Sequence, residues 1–256
     1  MTTLSILQYG LIGLAAFAAG FVNALAGGGT LITFPLMTFL GIPPITANVT
    51  NTVALCPGYF GATMAQRGLL IDQEKRFWLF IPSALIGGLI GGFLLLKTGE
   101  RLFTGLIPYL ILLASLLLAV GEPIRKWLEN RSGAVQKSRF KIVFAGFSIL
   151  VAAVYGGYFG AGLSVILLAV LALFVKDSIT RLNALKQALA LSTNVAAAIF
   201  FIFSGKVMWV LAAVMAAFAL AGGALGGKVA GVINPVILRW IIVFIGIAVA
   251  VVYFFH

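Results

Sequence analysis

The feature that most constrains this chain is a series of apolar runs long enough to cross a lipid bilayer. Ile6 to Ala26 and Val236 to Phe255 are the clearest. Each reaches the roughly 20 residues that a helix needs to traverse about 30 Å of hydrocarbon. Of the 256 residues, 62% are hydrophobic and only 9% are charged. A soluble domain of this size would lack the polar side chains to cover its surface, so a bilayer is the natural solvent.

Similar runs recur along the whole length, and hydropathy predicts ten membrane-embedded helical segments. They cover residues 6–26, a short 30–40, 45–66, 76–97, 102–121, 141–160, a short 163–175, 179–203, 207–231 and 236–256. The expected fold class is therefore an all-α polytopic membrane protein. The one long hydrophilic stretch, 122–140, divides it into a first transmembrane unit, 1–121, and a second, 141–256. The first charged residue is Arg67, so the basic flank that precedes a cleavable signal sequence is not expected.

The two units share an ordered set of features. Gly87-Gly88-x-x-Gly91-Gly92 matches Gly222-Gly223-x-x-Gly226-Gly227 at an offset of 135. At that offset Asn48 falls on Asn183, Asn51 on Lys186 and Tyr59 on Asn194, while Gly27-Gly28-Gly29 falls close to Gly160-Ala161-Gly162. Glycine pairs alone would mean little, but a series in constant order indicates internal duplication. With ten crossings, five per unit, the repeats are inverted. With the short segments only re-entrant, eight helices span and the repeats are parallel. Placing 122–140 in the cytoplasm puts Arg67, Lys75, Arg76, Lys176 and Arg181 on the same side as the linker's basic residues. Positive charge concentrates on the cytoplasmic side of inner-membrane proteins, which favours the inverted arrangement.

A helix broken inside a membrane leaves backbone groups that lipid cannot satisfy, so breaks persist only against protein or a wet cavity. The candidate site therefore begins at the two glycine breaks, Gly27, Gly28 and Gly29 with Thr30, and Gly160 and Gly162 with Ser164. Each opens a helix whose N-terminus carries free N–H groups and partial positive charge, which suits an anion. Close glycine packing is the competing reading of the breaks and the better one for the two GGxxGG runs. Asn23 precedes the first break. Asn48, Asn51, Thr52 and Tyr59 lie near one face of their helix, and Asn183, Lys186, Gln187 and Asn194 repeat that spacing. These polar groups either hydrogen-bond between helices or line a binding site, and Lys186 either reaches for the surface or neutralises a bound anion.

All six acidic residues, Asp72, Glu74, Glu100, Glu122, Glu129 and Asp177, fall at segment ends or in loops. Cation pathways and proton relays generally place a carboxylate within the spans, so a small anion is the better expected substrate. The only histidine is His256 and the only cysteine is Cys56, which leaves no zinc-ligand cluster, haem ligand or triad base. Neither an enzyme nor a cofactor is expected. The net charge of +11 follows loop topology rather than nucleic-acid binding. The expected partners are the lipid bilayer and a small anionic substrate; no oligomeric state follows from the sequence.

The run from Gly20 to Leu40, with Pro43-Pro44 and Thr50-Asn51, resembles the first half of a TauE/SafE family permease. Gly156 to Gly162, Lys186, Ser192 to Asn194 and Ser204-Gly205-Lys206 resemble its second half. The resemblance runs from about residue 8 to 250. It implies an inner-membrane transporter of small sulfur-containing anions, such as sulfite, sulfoacetate or other organosulfonates; rocking of the two halves to alternate access is the expected mechanism. An anion channel or uniporter of the same fold, and a non-transporting scaffold, are the alternatives. Family members commonly carry a basic residue after the Thr-Asn pair of the first half, where this chain has Thr52.

Overall fold

The computed structural model describes residues 4–131, 139–233 and 236–255, without side chains for 122–131 and 139–141. Ten α-helices make up the described chain: α1 (Ile6–Leu25), α2 (Thr30–Phe39), α3 (Pro44–Ala65), α4 (Glu74–Thr98), α5 (Glu100–Arg131), α6 (Arg139–Tyr158), α7 (Leu163–Phe174), α8 (Ile179–Ile202), α9 (Trp209–Val229) and α10 (Val236–Phe255). The expected segments agree with these to within two residues, with one exception. The fifth helix does not stop at 121 but runs to Arg131, so Glu122 and Glu129 lie in its final turns and not in a loop. The middle of the expected linker, 132–138, lies outside the described residues.

Six stretches among the described residues are long and apolar enough to cross a membrane: Ile6–Leu25, Ile71–Thr98, Glu100–Gly121, Ile179–Ile202, Trp209–Val229 and Val236–Phe255. Large apolar side chains point outward along them, among them Leu14, Trp78, Phe93, Leu116 and Phe244. Such a surface is stable only against lipid. The protein is thus an all-helical, polytopic membrane protein. α3 is long enough to span but carries Asn48, Thr50, Asn51 and Thr52, every one of them buried.

The glycine runs set the packing. A Cβ on Gly87 would strike Ala153, and on Gly91 the Val154 carbonyl of α6; on Gly88 it would strike Thr193, and on Gly92 Ala197 of α8. Residue numbers rise together in both contacts, so α4 runs parallel to α6 and α8. In the same way Gly222 and Gly226 of α9 lie on Phe17 and Phe21 of α1, and Gly223 and Gly227 lie on Gly58 and Ala62 of α3. Hence α9 runs parallel to α1 and α3. Each helix therefore packs on the first and third helices of the opposite half of the chain, at backbone contact that only glycine permits. α3 meets α8 head to tail: the end of α3 at Gln66 touches Asn183, and its start at Thr50 accepts a hydrogen bond from the Met208 N–H (3.1 Å) just past α8.

Where the short 3-10 turns before α4, Arg67–Leu69 and Ile71–Gln73, meet the start of α8, the ends are joined by charge. Arg76 donates to Asp177; Arg181 pairs with Asp177 (3.1 Å) and with Asp72 (3.3 Å). The Gln73 amide donates to the Arg181 carbonyl (2.9 Å). Burial pushes the Asp177 carboxyl pKa up. The hydrogen bonds from Arg76 and the Ser178 N–H, with the charges of Arg181 and Arg76, outweigh it, and the net shift is downward. A carboxyl depressed by folding stabilises the folded state above its unfolded pKa of about 4, and that contribution disappears as pH falls through the folded value. Between pH 6 and pH 3, the thermal midpoint of the purified wild type should therefore fall more than that of Asp177→Asn. Equal falls would show that the cluster contributes nothing.

Candidate functional site

Both breaks are built by glycines in conformations closed to other residues. Gly28 has φ +92° and Gly162 φ +79°, in the left-handed region where a side chain is strained. The Gly29 N–H is taken by Asn23 Oδ1 (2.7 Å), which folds the first break back onto α1. Among the described residues the N–H groups of Thr30 and Ser164, in the first turns of α2 and α7, find no backbone acceptor. These are the orphan donors that every helix start leaves.

The two breaks meet. Gly27 lies directly on Ser164 and Val165, with 2.8 Å from its ideal Cβ position to Ser164 Cβ. Gly160 in turn lies against Thr30, with 3.8 Å from its ideal Cβ position to the Thr30 hydroxyl. The starts of α2 and α7 are thus side by side in the interior. Ser164 is 2% exposed, and its hydroxyl faces the hydroxyl of Tyr59 on α3.

The two asparagines matched by sequence do matching work. Asn48 Nδ2 donates to the Tyr158 carbonyl at the end of α6 (2.9 Å), and Asn183 Nδ2 donates to the Ala24 carbonyl at the end of α1 (3.1 Å). Each long helix thereby supplies a donor to a carbonyl that the opposite half's break leaves open. Asn183 Nδ2 also donates to Gln66 Oε1 (3.0 Å).

At Asn51 and Lys186 the two halves differ. Asn51 serves the first turn of α2, accepting from Thr33 Oγ1 (2.6 Å) and donating to Thr30 Oγ1 (3.4 Å). Lys186 is 1% exposed and does not reach for the surface. Its Nζ donates to Asn183 Oδ1 (2.8 Å) and to the Asn23 carbonyl (3.4 Å), the same carbonyl that Gln187 Nε2 reaches at 2.9 Å. Both acceptors are neutral, and no carboxylate among the described residues pairs with this ammonium. A buried cation held only by neutral oxygens is costly, and an anion beside it removes that cost.

Asn23, Gly27, Gly28, Gly29, Thr30, Asn48, Asn51, Gly160, Gly162, Ser164, Asn183, Lys186 and Gln187 are thus brought around the paired breaks. Two expected residues bond only within their own helices. Thr52 donates to the Asn48 carbonyl, and Asn194 to the Ala190 carbonyl, each within its own helix. Three participants escaped the sequence reading. Thr33 stands one turn after Thr30 on the same face, a spacing that marks it. Gln66 was readable only as the end of a segment. Arg239, 8% exposed, is a charge one turn inside the apolar run of α10, and it bears electrostatically on Lys186.

An all-helical bundle with paired internal helix starts is the architecture of a membrane carrier class. The family model for the sulfite exporter TauE/SafE matches residues 12–253, and the chain belongs to this family. It is similar to a "Probable membrane transporter protein" of Haemophilus influenzae, with 25% identity over 89% of this chain and 87% of the relative. It is also similar to "Probable membrane transporter protein ORF9" of a Sinorhizobium species, at 28% over 93% and 88%. To "Probable membrane transporter protein YfcA" of Escherichia coli K12 it is 23% identical, over 87% and 80%. The family is one of membrane transporters, not enzymes.

Proposed function

We propose that the protein is a secondary transporter that moves a small sulfur-containing anion, such as sulfite or an organosulfonate, across the inner membrane by alternating access. The observation that carries this reading is the meeting of two helix starts, tied through Asn23 to Lys186, a sealed ammonium without a carboxylate partner. The free N–H groups of Thr30 and Ser164, the Ser164 hydroxyl and the Lys186 charge offer an anion donors from both halves at once. The family's name supplies sulfite as the first substrate to test.

The packing supports two inverted five-helix repeats, α1–α5 and α6–α10. α1, α3 and α9 run one way and α4, α6 and α8 the other, so the first helices of the two halves point in opposite directions. Because α1 and α3 are co-directed, residues 26–43 must return through the bundle, and 159–178 must do so between α6 and α8. This favours ten crossings over re-entrant loops, although α2 is only about 15 Å long. The Arg76–Arg181 cluster lies where α4 and α8 begin, and we place that side in the cytoplasm on the positive-inside rule. Two repeats meeting at a central site can rock so that it opens to either face.

Uptake of labelled sulfite by proteoliposomes, with sulfate and taurine as competitors, tests the function. A carrier gives saturable uptake and counterflow. Flux that rises without saturating would assign a channel, and no sulfite uptake in sealed vesicles would remove the sulfite reading.

A further inference from the structure

Buried polar atoms in folded proteins almost always have partners, so each orphan asks for an explanation. Two stand around the paired breaks: Gln187 Oε1 and Asn48 Oδ1. Gln187 and Asn48 are both 0% exposed. The orientation of the Gln187 amide is fixed by chemistry, because only its NH₂ can meet the Asn23 carbonyl. Its carbonyl oxygen is therefore the free end, next to the carbonyl that also holds Lys186 Nζ. Asn48 is fixed in the same way by the Tyr158 carbonyl. Its counterpart Asn183 has no such vacancy, since Asn183 Oδ1 accepts from Lys186. An amide oxygen only accepts, so what Gln187 and Asn48 lack is a donor.

Resting on the anion site proposed above, we infer that the transported anion also donates a hydrogen bond, and that Gln187 Oε1 accepts it. Lys186 and the helix starts take the negative oxygens, and Gln187 takes an O–H or N–H of the same molecule. This selects hydrogen-oxyanions and sulfonates bearing a hydroxyl or ammonium group. It disfavours fully deprotonated oxyanions and plain alkyl sulfonates, which bring no donor. A site built to hydrogen-bond a group discriminates strongly against the analogue without it, because its own polar atom is then left unpaired.

The test compares binding of 2-hydroxyethanesulfonate and ethanesulfonate to the purified protein by calorimetry. The two carry the same charge and differ by one hydroxyl. The wild type should bind the hydroxylated probe at least about tenfold more tightly, the ratio expected for one buried hydrogen bond. In Gln187→Met, checked for a wild-type gel-filtration profile, the ratio should fall to about one. Equal affinities in the wild type would overturn the donor requirement while leaving the anion site standing, and need no variant to fold. A preference that survives in Gln187→Met would take the role from Gln187. Binding of neither probe would fail the anion site itself and this inference with it.

Discussion

Lys186→Met should reduce anion uptake by at least tenfold at fixed pH while the protein still folds and inserts. The lysine is 1% exposed, so its charge cannot be screened by water, and its hydrogen bonds go only to Asn183 Oδ1 and the Asn23 carbonyl. Methionine fills a similar volume without the charge, and removing a buried ammonium need not destabilise the fold. Whatever the ammonium contributes to holding an anion is lost outright, since a tenfold change corresponds to only about 1.4 kcal/mol. Lys186→Arg keeps the charge but not the slender stem, and should retain more uptake than Met. The readout is sulfite uptake in proteoliposomes normalised to inserted protein. Unchanged uptake in Lys186→Met would remove this residue from the site.

Gly223→Val should abolish the folded protein altogether. A Cβ at this position would overlap the Gly58 carbonyl oxygen, backbone on backbone, with no flexible side chain to give way. Overpacking of even one methylene typically costs about 1–3 kcal/mol, and a branched side chain forced between two helices exceeds that. Gly222→Val should behave alike, because its Cβ would enter the Phe17 carbonyl. Gly105→Ala is the matched control. It lies in α5 with nothing within 4 Å of its ideal Cβ, and alanine in a helix is favoured over glycine by roughly 0.5–1 kcal/mol. The yield of monodisperse protein in detergent should therefore collapse for the two valine variants and hold or rise for Gly105→Ala. Wild-type yields from Gly223→Val would contradict the close contact between α9 and α3.

Nearly all helix boundaries were legible because a bilayer imposes them: each apolar run must end where the hydrocarbon ends. α5 is the exception, and for the same reason. Beyond Gly121 its sequence turns polar and includes Pro123, which reads as a linker, yet the helix continues to Arg131. Hydropathy locates the edge of the apolar layer and does not locate the end of a helix that leaves it. The GGxxGG runs announced close packing but not against what. That α4 and α9 each cross to the other half depends on three-dimensional pairing that a one-dimensional glycine pattern does not encode.

The site divides similarly. Asn48 and Asn183 were legible as a pair through the internal repeat, and the structure gives them equivalent carbonyls to hold. The role of Asn23 was half legible. Its side chain closes the break as a polar residue beside three glycines would, but its backbone carbonyl gathers Lys186 and Gln187, and a carbonyl leaves no mark in a sequence. Thr52 and Asn194 share the polar faces by spacing, yet both spend their hydrogen bonds on their own helices. Helical periodicity assigns a face and leaves open whether a side chain bonds locally or across it.

The most direct test of the paired breaks as an alternately exposed site is labelling of Ser164→Cys in a Cys56→Ala background, in sealed vesicles, with a membrane-impermeant thiol reagent applied to one face at a time. The expected result is slow labelling from either face, further slowed by 2-hydroxyethanesulfonate. Labelling from neither face, or from one face alone without any effect of the anion, would contradict it.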